Sequence, residues 1–194
     1  MSFSADQLSK LESLITDTNG WTLSTESADA KLYTQQGLNH FISNSKSPSL
    51  DMVKLVAHVP YHVDEIHAIT RDVEIRKLVS PLVSHVELLE QHDNGDILYQ
   101  RVTPPIPLMS ARTMLIERKF SVHKTPQHDS SSYHWYMKSL DTHHKLPKGD
   151  QGAVRCTIHV QALRIEPHPT LPKNAILTVV NQYVCTSFLF VMFF

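Results

Sequence analysis

Leu8, Leu11, Leu14 and Ile15 recur at the three- and four-residue spacing of one helix face. Ser4 stands before this run and Gln7 three residues later, a reciprocal capping pair, so the spacing predicts a helix over about 5–17. Asn19-Gly20 stops it. The period then changes to two. Positions 21–26 and 31–35 read as strands, and 44–49 as a polar loop. Val53, Leu55, Ala57 and Val59 alternate with Lys54, Val56 and His58, which predicts a strand over 51–59 with one apolar face, ended by Pro60. Val63, Ile66 and Ile69 return to helical spacing, with Asp64 and Glu65 where a helix N-terminus favours acids. That helical insert runs towards Leu78 and stops before Pro81. Beyond it, 83–90 and 96–103 flank His92-Asp93-Asn94-Gly95, a hairpin signal. Positions 113–123, 133–140, 154–165 and 176–186 are the remaining strands. A helix, three strands, a helical insert and a long antiparallel meander describe an α+β fold, a curved sheet with segregated helices.

The 194 residues, 41% apolar and 19% charged, suit one globular domain. A net charge of −1 offers no basic footprint for nucleic acid. Cys156 and Cys185 are far apart and match no metal spacing, so no disulfide framework is expected and a reducing compartment is the default. The first residues lack the basic and apolar regions of a signal peptide. The apolar run from Phe188 to Phe194 is shorter than the ~20 residues of a membrane span.

Enzyme signatures are absent from the pattern. The five glycines build no phosphate loop, and neither Gly-x-Ser-x-Gly nor His-Glu-x-x-His occurs. His143-His144 and Asp141 lack the further ligands that a metal site needs, and no cofactor is implied. The informative strand is 113–122. Arg118 shares its apolar face with Met114, Ile116, Phe120 and Val122. A buried charge needs a partner. Either its stem packs inside while its head reaches water or a structural acid, or it is the polar anchor of an apolar cavity. On the preceding strand Ile97, Tyr99 and Arg101 share one face, and Leu98, Gln100 and Val102 the other. Alternation there leaves open which face is inside.

The order of several short motifs resembles the START (steroidogenic acute regulatory protein-related lipid transfer) family. They are Trp21 to Glu26 with Lys31-Leu32-Tyr33, then Val56-Ala57-His58-Val59-Pro60 with Val63 and Ile66, then Arg76-Lys77 and Pro81 before Val86-Glu87-Leu88-Leu89-Glu90. The most specific is Leu98-Tyr99-Gln100-Arg101-Val102, followed by Pro105 to Arg112 and Ile116-Glu117-Arg118, which is most similar to phosphatidylcholine-transfer members. Gly152-Ala153-Val154-Arg155 resembles a later strand start. Val79-Ser80 and Thr113 depart from the family pattern, and Gln100 or Arg101 falls where many members carry an internal acid.

The resemblance implies a helix-grip fold whose C-terminal lid helix is missing. It places an incomplete lipid-binding domain over 1–187 and an apolar tail over 188–194. It implies a lipid, expected to be a phospholipid, in an internal tunnel, with Arg118, Arg112, Arg101, Gln100 and Tyr99 at the polar end and Met114, Ile116 and Phe120 along the chain. If Arg101 and Arg118 both face the tunnel, no obvious acid on those faces neutralises them, which favours a phosphate headgroup. The implied role is a non-enzymatic cytoplasmic lipid carrier or sensor, with transient contact to membrane surfaces. The alternative is a degenerate interaction module that has lost its lipid.

Overall fold

The computed structural model describes residues 3–35, 51–105, 108–124, 131–147 and 152–184. The expected 44–49 loop and the 188–194 tail lie outside them, and so does the question of a C-terminal lid. Helix α1 (Ala5–Thr16) leads into strands β1 (Thr22–Glu26), β2 (Ala30–Gln35) and β3 (Met52–Val59). Helices α2 (Val63–Arg71) and α3 (Val73–Val79) follow. Then come β4 (Val83–His92), β5 (Gly95–Val102), β6 (Arg112–Lys124), β7 (Ser131–Ser139), β8 (Val154–Arg155), β9 (Thr157–Pro167) and β10 (Ala175–Val184). They form one curved ten-stranded sheet in the order β1-β2-β3-β10-β9-β7-β6-β5-β4, with β8 paired in parallel to β6. This is the α+β arrangement that the sequence pattern predicts and the helix-grip type that the family resemblance implies.

Strand side chains alternate, so register assigns every residue to a face. Asp96, Leu98, Gln100 and Val102 oppose Arg118, Ile116, Met114 and Arg112. Leu98, Val102, Met114 and Ile116 belong to one core with Trp135, Met137, Leu163, Ile165, Leu177, Val179 and Val63 of α2. The opposite face packs against α1, where Leu11, Leu14 and Ile15 meet Met52, Tyr136, Ala162 and Val180. The two helices therefore cover opposite faces, here named the α1 face and the α2 face.

Ser4 Oγ accepts from Gln7 N at 3.1 Å and Gln7 Oε1 accepts from Ser4 N at 3.0 Å, as the capping pair predicts. The other end of α1 is held by Lys54, which the pattern put on the polar face of its strand. Its Nζ donates to the carbonyls of Leu14, Ile15 and Asp17 at 3.3, 2.8 and 2.8 Å. A helix C-terminus leaves such carbonyls without intrahelical partners, and its dipole attracts a cation. Burial lowers the Lys54 pKa, which the nearby Asp17 carboxylate partly opposes.

Four expectations change. The helical insert breaks at Asp72, which ends α2 and caps α3 by accepting from Glu74 N and Ile75 N. The 154–165 strand divides into β8 and β9, and β9 pairs with β10 through a register shift at Gln182/Tyr183. Cys156 and Ile158 thus join Leu163 and Ile165 in the α2-face core. Gly95 does not supply a left-handed turn: Gly20 and Gly152 are the described glycines with positive φ. Its role is close approach, since a Cβ there would stand 2.2 Å from the Arg118 carbonyl oxygen. Cys156 is disulfide-bonded, contrary to the expectation of unlinked cysteines.

Lys54→Met should leave three carbonyls in and beside the last turn of α1 without their donor. We expect a loss of ~1–3 kcal/mol in denaturant unfolding, with α1 amides exchanging first in hydrogen exchange. Unchanged stability would mean that water replaces the lysine at no cost.

Candidate functional site

The α2 face carries one row of residues across five strands: Asp96, Arg118, Met137, Gln161 and Asn181. Arg118 is 0% exposed. Its Nε donates to Asp96 Oδ1 at 2.7 Å and its Nη2 to Asp96 Oδ2 at 2.6 Å, a two-pronged ion pair. Nη1 donates to the Thr70 carbonyl at 2.9 Å and Nη2 to the Arg71 carbonyl at 3.3 Å. The guanidinium also lies 5.1 Å from the Trp135 ring. One arginine thus joins β5, β6 and β7 to the C-terminal turn of α2.

An aromatic group completes the seat of that helix. The His67 ring stacks on Tyr133 with centroids 3.8 Å apart, and its Nδ1 accepts from Trp135 Nε1 at 3.2 Å. Phe120 meets the edge of the same histidine, and Arg71 lies over Phe120. Tyr133 donates its hydroxyl to Asp64 at 2.6 Å. Burial and that bond push the Tyr133 phenol up to about 12. Burial, then the Arg71 charge, lower the His67 pKa, and Asp64 opposes them.

Along the strands from Arg118 towards the β5–β6 connection, the face changes character. Leu98, Ile116, Val102 and Met114 are buried and apolar. Gln100 lies among them, 0% exposed, and both Nε2 and Oε1 are buried without a hydrogen-bond partner. Arg112, 6% exposed, begins the β6 row, and its Nη1 donates to the Ser110 carbonyl at 2.5 Å. No carboxylate among the described residues pairs with Arg112.

Six expected site residues, Arg118, Arg112, Gln100, Met114, Ile116 and Phe120, therefore share the α2 face. Tyr99 and Arg101 do not. They pair with Leu115 and Thr113 and point the other way, where Tyr99 packs with Leu89 and Leu115. A strand of period two cannot present Tyr99 and Gln100 to one cavity. The charge balance differs from the expected one as well: Arg101 is on the opposite face, and Asp96 neutralises Arg118. Asp96 was not among the expected site residues, although it shares the parity of Leu98 and Gln100. The signal was the hairpin, which sets Asp96 against a residue 22 positions later. His67 was missed because its partners come from β6 and β7.

On the α1 face, Glu12 accepts from the Tyr136 hydroxyl at 2.5 Å and lies 2.9 Å from His134 Nδ1. That group is wedged between α1 and the sheet and fastens the helix. Among the described residues, no three His, Cys, Asp or Glu side chains are grouped to hold a metal. No described helix is long and apolar enough to cross a membrane.

No family model and no curated protein matches the chain. Solved structures do. Human STARD10 matches with a TM-score of 0.75 at 18% identity, covering 94% of this chain and 68% of that one. Human StAR-related lipid transfer protein 5 matches at 0.74 and 15%, covering 95% and 81%. A STAR-related lipid transfer protein fragment from Xanthomonas axonopodis matches at 0.59 and 17%, covering 86% and 81%. At such identities the likeness establishes a START-type fold.

Two expectations follow from the seat of α2. Arg118→Met leaves a buried carboxylate and two carbonyls without donors, and should destabilise by ~3–5 kcal/mol. Asp96→Leu combined with Arg118→Met should cost less than the sum of the single changes by at least ~1 kcal/mol, as a double-mutant cycle measures. Additive losses would show that the pair does not act as a unit. The second concerns pH. The unfolded His67 takes a proton near pH 6.5 and the folded one only lower, so its contribution is present above ~6.5 and lost as pH falls towards the folded pKa. His134 and His159 are lowered by burial too and act in the same direction. Unfolding titrations at pH 7 and 5 should show a loss on acidification that His67→Gln reduces; an equal loss in both proteins would remove His67 from the account.

Proposed function

We propose that residues 1–187 bind one lipid on the α2 face and act as a cytoplasmic carrier or sensor at membrane surfaces. The observation that carries this is the contrast within one face. Where α2 sits, Arg118, Asp96, His67 and Tyr133 all have protein partners. Beyond it, a buried apolar patch holds an amide with no partner and ends at an arginine with no carboxylate among the described residues. An apolar surface with few polar groups is the usual composition of a small-molecule site. Each buried CH₂ of a lipid chain adds about 0.8 kcal/mol, so an apolar surface of this kind favours an acyl chain.

The similar folds include proteins named for lipid transfer, which supports the same use of the face here. For the headgroup we propose a phosphate, held by Arg112 and not by Arg118 or Arg101. Guanidinium–phosphate hydrogen bonds are charge-assisted and need a cation that is not already neutralised. A binding role fits better than catalysis: Asp96, the acid of this face nearest the patch, is committed to Arg118.

The test is native mass spectrometry of the full chain purified from cells. The expected result is one lipid per chain, of phospholipid mass. Arg112→Ala should lower phospholipid capture by about tenfold, the effect of losing a charge-assisted bond of ~1.4 kcal/mol. A lipid-free protein that also takes up none from vesicles would replace this reading with that of an interaction module that has lost its ligand.

A further inference from the structure

The α1 face holds a cavity that neither the seating of α1 nor the lipid-binding reading uses. It lies where β7 and β9 part. The two strands pair from Tyr133↔Ile165 as far as Met137↔Gln161. Beyond that point Ile158 N donates to the Ser139 side chain, at 2.8 Å, and not to the backbone of β7. His159 is the extra residue of the β9–β10 register shift, since Gln182 pairs with Val160 and Tyr183 with Ile158. A bulge of this kind interrupts the ladder and re-aims side chains. The resulting gap measures about 140 Å³, with Phe3, Gln7 and Leu11 on the side of α1 and Lys138, Ser139 and His159 on the side of the sheet.

Lys138 is the group there with unused capacity. Its side chain is 17% exposed, and its ammonium carries three donors. Among the described residues its contacts are the Phe3 ring at 4.4 Å and Glu117 Oε2 at 3.5 Å. The second is longer than a hydrogen bond, and that carboxylate oxygen is itself buried with no hydrogen-bond partner. On the opposite face the pair of Arg118 and Asp96 closes to 2.7 and 2.6 Å. Folded proteins leave few polar groups in the state of Lys138, because lost hydration is not recovered. The other polar groups at the cavity also have donors to spare. Ser139 Oγ accepts from Ile158 N and keeps its own O–H to give. Gln7 Oε1 accepts from Ser4 N, which leaves Nε2. Burial lowers the His159 pKa, so this imidazole is neutral at pH 7 and carries one N–H.

Donors around an enclosed space, with Phe3 and Leu11 as an apolar wall, suit a small acceptor with an apolar body. A carboxylate only accepts, it takes several donors at once, and its bonds to an ammonium are charge-assisted. The volume is that of about five water molecules at ~30 Å³ each, which limits the body to a few carbons or one ring. Glu117, beside Lys138, tempers the positive charge and so favours a monoanion over a phosphate or a dicarboxylate. We infer that this cavity binds a small organic monocarboxylate, its carboxylate on Lys138 and its body against Phe3 and Leu11. Such a ligand joins α1 to the sheet. The site is separate from the α2 face and needs no lipid there.

The probes are benzoate and butyrate, each beside its neutral amide, benzamide or butyramide, added to the full chain. Calorimetry should give a dissociation constant on the order of 1 mM for an acid, which is modest for about nine heavy atoms, and binding about tenfold weaker for its amide. Hydrogen exchange locates the ligand. Amides of 5–11 and 157–159 should slow, and those of β5 and of 112–116 should not. Lys138→Met should weaken the acid about tenfold and remove its advantage over the amide. That change strands the Glu117 carboxylate, so Lys138→Gln combined with Glu117→Gln is the second variant. It removes both charges together and should lose the same advantage.

No binding of either acid at about 20 mM overturns the inference, and so does equal binding of acid and amide. An advantage that both variants keep overturns it as well, because Lys138 then does not hold the carboxylate. Slowed exchange confined to β5 and the start of β6 would put the acid on the α2 face, with the same consequence. Should neither variant fold, the acid-over-amide preference of the parent and the position of its slowed amides decide the matter. None of these outcomes bears on lipid binding, which has its own test.

Discussion

The ion pair between Arg118 and Asp96 is the constraint around which the α2 face is arranged. Removing both ions from water costs several kcal/mol each, and only close geometry with further hydrogen bonds recovers that cost. The register of β5 against β6 supplies the geometry, and the last turn of α2 supplies the further acceptors. The pair therefore couples two decisions. A one-residue slip of β5 would turn Asp96 to the other face and leave the arginine buried alone. A displaced α2 would take away two of its acceptors. Gly95, which lets β5 approach the Arg118 backbone, belongs to the same arrangement.

Lys54 repeats this solution on the other face. There a buried cation again meets carbonyls of a helix C-terminus, those of α1. In both cases a long side chain passes up from the sheet and its charged end serves the helix, so that the helix is fixed in position as well as capped. The aromatic group of His67, Tyr133, Trp135 and Phe120 adds area at α2, and Glu12 with Tyr136 and His134 adds polar contacts at α1. Both helices are thus seated by residues whose partners lie far away along the chain.

This arrangement divides the α2 face by the fate of its polar groups. Near α2 the charged groups are consumed by structure, with Arg118 committed to Asp96 and two carbonyls. Farther along, the face retains Gln100 and Arg112 among apolar neighbours. The two arginines that the family resemblance grouped are thus separated, since Arg101 lies on the opposite face.

Elements whose information is local were determined by the sequence itself. The capping pair of α1, the alternation of β3 and β6, and the 92–95 hairpin each depend on neighbours within a few residues, and each appears where the pattern puts it. The START-like order of motifs likewise carried the fold class. Alternation in β6 also placed Arg118 with Met114 and Ile116. What alternation within one strand could not decide was which face of β5 turned inward, because either parity presents one charged or amide side chain among apolar ones. Only pairing with β6 settled this, putting Gln100 inside and Tyr99 and Arg101 outside. The bulge in β9 and the break at Asp72 were illegible for a related reason, since each depends on a partner strand or helix. The roles of Arg118 and Lys54 were decided by tertiary structure alone. A buried cation is defined by what it meets, and their partners lie 22 to 48 residues away in sequence.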